Sequence, residues 1–368
     1  MSNTCAPASP PPPLATRAAP PAPRGSSSTP LARVIWRLSG LNLAMVCGVM
    51  VLLFVVSERW WIGSAITFLP RLPWGLPAVV LGLAGWWCHR PSLWVNVVAL
   101  GLVLGPIMEL RVPGLLQAPG TVPPAPGRDT LRVVSCNVQA YRPHFAEVLS
   151  EVARYRPDVV LLQEAFGEHP LLDEFLPDWH RLHHNTYWIA SRYPLRLLAE
   201  CQSEVFDRVA GIVVELQTPA GPVLVANIHQ MTARRGLVEI NKSTLLRGEA
   251  ASLVDEFRQW REIEAAEIRA VVDAHRGERP LIVAGDFNTP TSSHVFQQVW
   301  GDLQSAFDVA GCGYGYTAPC RPIRCWLTNV PWARIDHILC SSEFGIVRCQ
   351  VGRGNGSDHR VVAAELRR

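Results

Sequence analysis

Three uncharged stretches come first along the chain, and only after them do short apolar runs alternate with polar ones. Residues 38–56, 72–88 and 91–108 carry no charged side chain. A bilayer span takes about 20 apolar residues, with a range of ~17–25, so each stretch reaches at least the lower limit. Trp60, Trp61, Trp86, Trp87 and Trp94 stand at their ends, where interfacial aromatic rings belong. The pattern predicts three transmembrane helices over residues 33–111, with buried core helices as the competing reading. The middle stretch is the least regular. Pro70, Pro73 and Pro77 crowd its entry and 62–69 is a further short apolar run, so a re-entrant or interfacial piece competes there.

From residue 129 the period changes. Apolar runs at 131–136, 159–163, 187–190, 211–216 and 223–228 predict strands, and 145–155 has helical spacing. Leu253, Val254, Phe257, Trp260, Glu264, Ile268 and Val271 trace one face of a long helix, apolar except at Glu264. Pro280 then opens a further strand, and no internal repeat is visible. Periodicity alone therefore yields an α/β domain with many strands over 129–368. Residues 1–32 are rich in Pro, Ala and Ser and predict a disordered tail. Pro and Gly crowd 112–128, which reads as a linker from membrane to domain. The first apolar stretch does not read as a cleaved signal, because its leading region is long and no small-x-small site follows Val56.

Charge adds direction. Arg17, Arg24, Arg33 and Arg37 precede the first stretch, Arg59 and Arg71 follow it, and His89 and Arg90 follow the second. The positive-inside bias keeps the N-terminus in the cytoplasm, and three crossings put the domain outside, in the periplasm of a bacterial inner membrane. The mean hydropathy of +0.13 comes from the same stretches. From Arg128 onward there are 26 Arg and Lys against 29 Asp and Glu. Duplex-binding domains usually carry a basic stripe; here only a local pair, Arg234 and Arg235, and the single lysine Lys242 offer one. Nucleic acid is therefore disfavoured as the substrate. Cys312, Cys320 and Cys325 cluster in one loop-like stretch without zinc spacing. In an oxidising compartment two of them can close a disulfide, and buried thiols are the equal alternative.

Six short polar signatures then follow in order: SCN (135–137), LLQE (161–164), NIH (227–229), GDFN (285–288), RIDH (334–337) and SDH (357–359). They supply carboxylates, amides and imidazoles, the side chains that hold a hard divalent cation and activate water. Apolar runs end at Glu164 and Asp286, and open α/β sheets gather ligands at the carboxyl ends of their strands. A metal-dependent phosphoesterase is the first hypothesis.

This set resembles the endonuclease/exonuclease/phosphatase superfamily, which includes pancreatic deoxyribonuclease, abasic-site endonucleases, neutral sphingomyelinases and inositol polyphosphate 5-phosphatases. The resemblance spans about residues 128–368, and IASRYPL (189–195) is similar to the family's Ser-Arg-x-Pro turn. It implies an α/β fold, a four-layer sandwich of two mixed β-sheets flanked by helices. It also implies Glu164 as the principal ligand of Mg²⁺, or of Mn²⁺ in its place, with Asn137 beside the metal and Asp358 as an auxiliary ligand. Some members carry an acid where this chain has Gln139, which favours one metal ion. His359 matches the histidine paired with an aspartate, here Asp336. Asp286 and Asn288 match the groups that orient water and phosphate. Either His359 or Asp286 is the general base. His229 matches a histidine that contacts the phosphate or assists the leaving group, and Asn227 a phosphate-contacting amide.

Taken singly these residues are ordinary: a strand-end Glu is solvated, an Asn after a strand makes a turn, a lone His is structural. His169, His183, His184, His294 and His337 keep that structural reading. Three functions compete: a membrane-tethered phosphodiesterase or phosphomonoesterase, a membrane-anchored nuclease, and a non-catalytic binding or scaffold protein. Retention of Glu164, Asp286 and His359 favours the first. A tether also places a lipid headgroup at high effective concentration. The loops at about 230–248 and 311–332 carry no substrate signature.

Overall fold

The chain's structure is a computed structural model that describes residues 29–112, 130–142, 144–320, 329–354 and 356–368. Most of the expected tail and linker, and Cys325, fall outside these residues. The described residues after 129 form strands β1 (Thr130–Asn137), β2 (Val159–Gln163), β3 (His180–His184), β4 (Tyr187–Ser191), β5 (Leu195–Ser203), β6 (Arg208–Thr218), β7 (Gly221–His229), β8 (Leu281–Asp286), β9 (Gln304–Ser305), β10 (Asp336–Cys340), β11 (Gly345–Val351) and β12 (Val362–Arg367), of which β1, β2, β4, β6, β7 and β8 fall on the predicted apolar runs. They form two six-stranded sheets, ordered β11-β12-β1-β2-β4-β3 and β5-β6-β7-β8-β10-β9. Each sheet has one parallel pair at its middle, β1 with β2 and β7 with β8. The IASRYPL turn carries the chain from β4 in the first sheet to β5 in the second.

Alternation along the strands builds the layers. Val133, Leu161, Ile189, Val214, Val225, Ile282 and Ile338 face one another between the sheets. Val134, Val160 and Leu162 point the other way, onto helix Phe145–Arg154. Val213, Ala226 and Val283 do the same toward helices Ala250–Arg276 and His294–Trp300. The result is the helix–sheet–sheet–helix sandwich. On the long helix the buried stripe runs through Val254, Arg261, Glu264, Ala265, Ile268 and Val272, while Trp260, expected on that face, is exposed.

Before the sandwich stands a three-helix bundle with an apolar outer surface and an interior in which polar side chains join a buried apolar cluster around Val46, Ala99 and Val103. Ser39, Asn42, Ser92 and Asn96 are buried, and Asn96 Nδ2 donates to Ser39 Oγ at 2.7 Å. Leu41, Val80, Leu83, Trp87 and Trp94 face outward. Helices Pro30–Arg59 and Arg90–Ile107 are long and apolar enough to cross a membrane. Between them, Trp61–Phe68 and Leu72–Cys88 are bent from one another by 93°. Helix Leu76–Cys88 packs antiparallel on Arg90–Leu102: Gly85 lies on Ser92 and Leu93, Gly82 on Asn96, and Gly75 on Leu100 and Val103. A Cβ at Gly85 would sit 2.7 Å from Leu93 N, so only glycine permits this approach. Trp36 and His89 meet at one end of the bundle, while Arg71 reaches Ile107 O at the other. That second end rests on the sandwich.

Candidate active site

The sheet registers put three signatures in one row. His229 pairs with Asp286 across β7 and β8, and Asp286 pairs with Asp336 across β8 and β10. Gly285 permits the crossing: its φ is 145°, and a Cβ there would lie 1.9 Å from Ile228 O. Opposite this row, β1 and β2 deliver Asn137 and, one residue past Gln163, Glu164. Glu164 and Asn288 both take left-handed backbone, with φ of 54° and 49°. Non-glycine residues rarely adopt it, and such strain gathers at functional sites.

Asn137 ties the two sheets together. Its Nδ2 donates to Glu164 Oε1 at 2.9 Å and to Asp286 Oδ2 at 3.1 Å, while its Oδ1 accepts from Gln139 N. His229 Nε2 lies 3.7 Å from Glu164 Oε1 and 3.6 Å from Asp286 Oδ2. His359 Nδ1 bonds Asp336 Oδ2 at 2.9 Å, which turns Nε2 toward Asp286 Oδ2 at 3.7 Å. Ser357 Oγ donates to Asn137 O and accepts from His359 N, locking SDH onto SCN. Asn288 N donates to Asp286 Oδ1, and its side chain donates to Gln230 O.

Burial sets the charges. Burial pushes Asp286 up to about 7, with Asp336 adding to the effect and His359 and Asn137 opposing it. Burial opposes the charge on His359, yet Asp336 and Asp286 together hold that imidazole well above its usual value. His229 goes the other way, pushed down to about 3 by burial and by the charges of Arg208 and His359. At neutral pH the site therefore holds one imidazolium and one neutral imidazole.

Asp286, Asp336 and His359 offer ligand atoms within 4.8 Å of one another. A hard cation could also be met at Glu164. Its side chain is 29% exposed against 1% for Asp286, and Gln139 Oε1, two residues along from Asn137, is buried with no hydrogen-bond partner. Oxygen donors of this kind suit Mg²⁺. Asn137 presents N–H to both carboxylates in the present orientation, so it serves as an oxygen ligand only with its amide turned over.

The structure does not bring Asn227 to the open face. It is fully buried, its Oδ1 accepting from Gln163 Nε2 at 2.7 Å and its Nδ2 donating to Leu162 O at 3.1 Å. It bridges the sheets beneath the site. Asp358 meets Cys320 N through its backbone carbonyl, and its charge acts on His359. The five structural histidines are engaged elsewhere: His337 with Thr289 O, His183 with Ala165 O, His184 with Glu200, His294 with Arg59, and His169 at the start of helix Pro170–Phe175. Cys312 and Cys320 are free thiols.

Two supports were not anticipated. Glu264, the break in the long helix's apolar stripe, accepts from Arg208 Nε and from Met231 N. Arg208 NH2 in turn donates to His229 O at 2.6 Å. Arg261 reaches Met231 O and Asn288 O from the same face. A charged residue within an apolar stripe was the available signal.

Several known proteins are similar to the chain. Among solved structures, an endonuclease/exonuclease/phosphatase from Beutenbergia cavernae is 19% identical, covering 65% of this chain and 72% of its own, with a TM-score of 0.43. The 3' phosphatase NExo from Neisseria, bound to a product DNA hairpin, is 18% identical over 65% of this chain and 100% of its own, with a TM-score of 0.46. D. rerio TDP2, complexed with a single-strand DNA product, is 14% identical over 66% and 100%, also at 0.46. No curated protein matches the chain significantly. The model of the Endonuclease/Exonuclease/phosphatase family matches residues 134–359, and the chain belongs to that family.

Proposed function

We propose that this chain is a membrane-anchored, divalent-metal-dependent phosphoesterase that cleaves a phosphodiester or phosphomonoester by attack of water. The observation that carries the reading is the row His229–Asp286–Asp336 facing Asn137 and Glu164, with His359 closing the group. Glu164 would hold Mg²⁺ or Mn²⁺, with Asn137 and Asp358 as supporting ligands. Such an ion supplies Lewis-acid polarisation of a phosphoryl oxygen and neutralises charge. His359, kept protonated by Asp336, directs a donor at the phosphate. Asp286, poised near neutrality, takes the proton from the attacking water. Neutral His229 adds a hydrogen bond to phosphate or leaving group without adding charge. A panel of phosphodiesters, phosphomonoesters, lipid phosphoesters and DNA, assayed with Mg²⁺ and with EDTA, tests this. Turnover should vanish in EDTA and return with Mg²⁺; a rate indifferent to EDTA, or no substrate turned over, sinks the reading.

Asp336→Asn should leave the fold intact, let His359 turn and lower kcat by roughly 10²-fold, because a small misplacement of a reacting group costs about that much. Imidazole NMR should show the His359 titration moving down toward its ordinary value; an unmoved titration would deny Asp336 its role.

The outward apolar face and inward Ser and Asn pattern of the bundle support lipid as its solvent, with three passes if Leu72–Cys88 crosses beside Arg90–Ile107. That places Arg33 and Arg37 on the cytoplasmic side and the sandwich outside. An alkaline phosphatase reporter fused after Gly127 should be active and a fluorescent cytoplasmic reporter silent. The reverse outcome would put the site in the cytoplasm.

A further inference from the structure

The first 127 residues contain only two acidic residues, Glu58 and Glu109. Both stand at the sandwich end of the bundle, where water or headgroups would solvate them, and yet both are buried, 2% and 5% exposed. Each enters the sandwich beside a catalytic signature.

Glu58 Oε1 accepts from Arg261 NH1 at 2.9 Å, and Oε2 accepts from Ser293 Oγ and Val295 N. The same guanidinium donates through Nε to Met231 O at 3.0 Å, and through NH2 to Thr289 Oγ1 at 2.5 Å and Asn288 O at 3.3 Å. Arg261 thus joins the segment after His229 to the segment after Asp286, and Glu58 holds Arg261. Glu109 Oε1 accepts from Arg71 at 2.7 Å, while Oε2 accepts from Thr291 Oγ1 and Arg334 NH2, both at 3.2 Å. Arg334 is two residues from Asp336, the partner of His359. Burial alone would push the Glu109 carboxyl up, but Arg71 and Arg334 outweigh it and hold it far below the usual range. Between these anchors nearly every residue of the segment after GDFN is bonded to the bundle: Ser292 to Arg71 and Ser57, His294 to Ser57 and Arg59.

We propose that Glu58 and Glu109 are positioning residues for the hydrolytic site: through Arg261 and Arg334 they hold the strand ends bearing His229, Asp286 and Asp336 in place, so the bundle is part of the catalytic unit as well as its anchor. The proposal rests on the phosphoester reading of the site. Attachment alone would not require Glu109 to end on Thr291 and Arg334, five and two positions from Asp286 and Asp336, nor Glu58 to hold the guanidinium that bonds Met231, Asn288 and Thr289, two or three positions past His229 and Asp286.

Full-length protein in phospholipid nanodiscs tests it, with bis(4-nitrophenyl) phosphate and Mg²⁺ as the turnover probe. Hydrogen exchange over 230–237 and 287–295 serves as a readout that needs no activity. Glu58→Gln should accelerate exchange in both segments, and Glu109→Gln in 287–295, by about tenfold or more. They should lower kcat roughly 10–100-fold with KM within about twofold. Glu58→Asp should recover part of the loss. Adding Glu58→Gln to Arg261→Gln should cost nothing further, because residues acting through one another are not additive. Arg33→Gln, at the far end of the bundle, should change neither readout. Exchange unchanged in both segments, uniform loosening of the whole chain, or full additivity of the pair each overturns the proposal. If the wild type hydrolyses no phosphoester, the site reading fails on its own and exchange still decides the positioning claim.

Discussion

Glu164→Ala protein is expected to fold as the wild type does and to show no measurable turnover. Strand β2 is buried along its whole length and ends at Gln163. The chain then turns into left-handed backbone at Glu164, which lifts this carboxylate out of the wall. It is the most open acid of the group, 29% exposed where Asp286 and Asp336 are each at 1%, so an entering cation meets it first. A catalytic metal supplies several kcal/mol of transition-state stabilisation, and each ~1.4 kcal/mol is a factor of ten. Loss of the ligand should therefore cost at least about 10³-fold. Little stability goes with it. Glutamate and alanine suffer the same roughly 1–2 kcal/mol in left-handed backbone, and Asn137 Nδ2 keeps Asp286 as its acceptor. Calorimetric titration with Mn²⁺ beside the kinetics separates the causes. Lost turnover with intact Mn²⁺ affinity would give Glu164 some other task, and an active variant would remove it from the site.

What the sequence made legible follows from where each strand lies. Strands β2, β4 and β8 are covered on both faces, every residue buried, and so appear as unbroken apolar runs. The four edge strands, β3, β5, β9 and β11, are half exposed or only two residues long, and their mixed patterns resemble loops. β12 is interior but rich in alanine, too small a side chain to stand out. In the bundle the proline-rich entry left open whether 62–69 belongs to the second span. In the structure the two pieces are bent from one another by 93°, and Trp61–Phe68 lies against the sandwich, its Phe68 ring under Arg261 and its Phe68 O accepting from Trp332.

The site divides along a similar line. The residues proposed to bear chemistry of their own, Glu164, Asp286, His229, Asp336 and His359, stand in short signatures, and the structure brings them to one group. Residues that act by holding others are not legible in this way. Asn227 has the right company in NIH, yet it lies two residues before the strand's end at His229, deeper between the sheets, where its amide is spent on Gln163 and Leu162. Glu58 and Arg261 are separated by 203 residues, and nothing local in either marks the other. The scarcity of acids before residue 128 was the visible trace, because a charge kept at the end of an apolar helix needs a partner.

Asp286→Asn and His359→Gln should each lower turnover by about 10²–10⁴-fold, the usual worth of acid–base assistance, and should leave opposite marks on the pH profile. Asp286 must be ionised to accept a proton, and burial sets its pKa at about 7, so wild-type activity should rise through neutrality. His359 must stay protonated, and its pKa is held well above 6.5 by Asp336 and Asp286, so activity should fall only on the alkaline side. The acid limb should disappear in Asp286→Asn and the alkaline limb in His359→Gln. Stability should move the other way. With its folded pKa above the unfolded value of about 3.9, Asp286 holds a proton more tightly in the folded chain. Stability is then lost as pH rises from about 4 to about 7. Asn cannot ionise and escapes that loss, so at pH 8 Asp286→Asn should melt at or above the wild-type temperature. A variant that melts lower and keeps both pH limbs would make Asp286 a structural residue, and His359 with Asp336 would then be left as the only acid–base pair in the site.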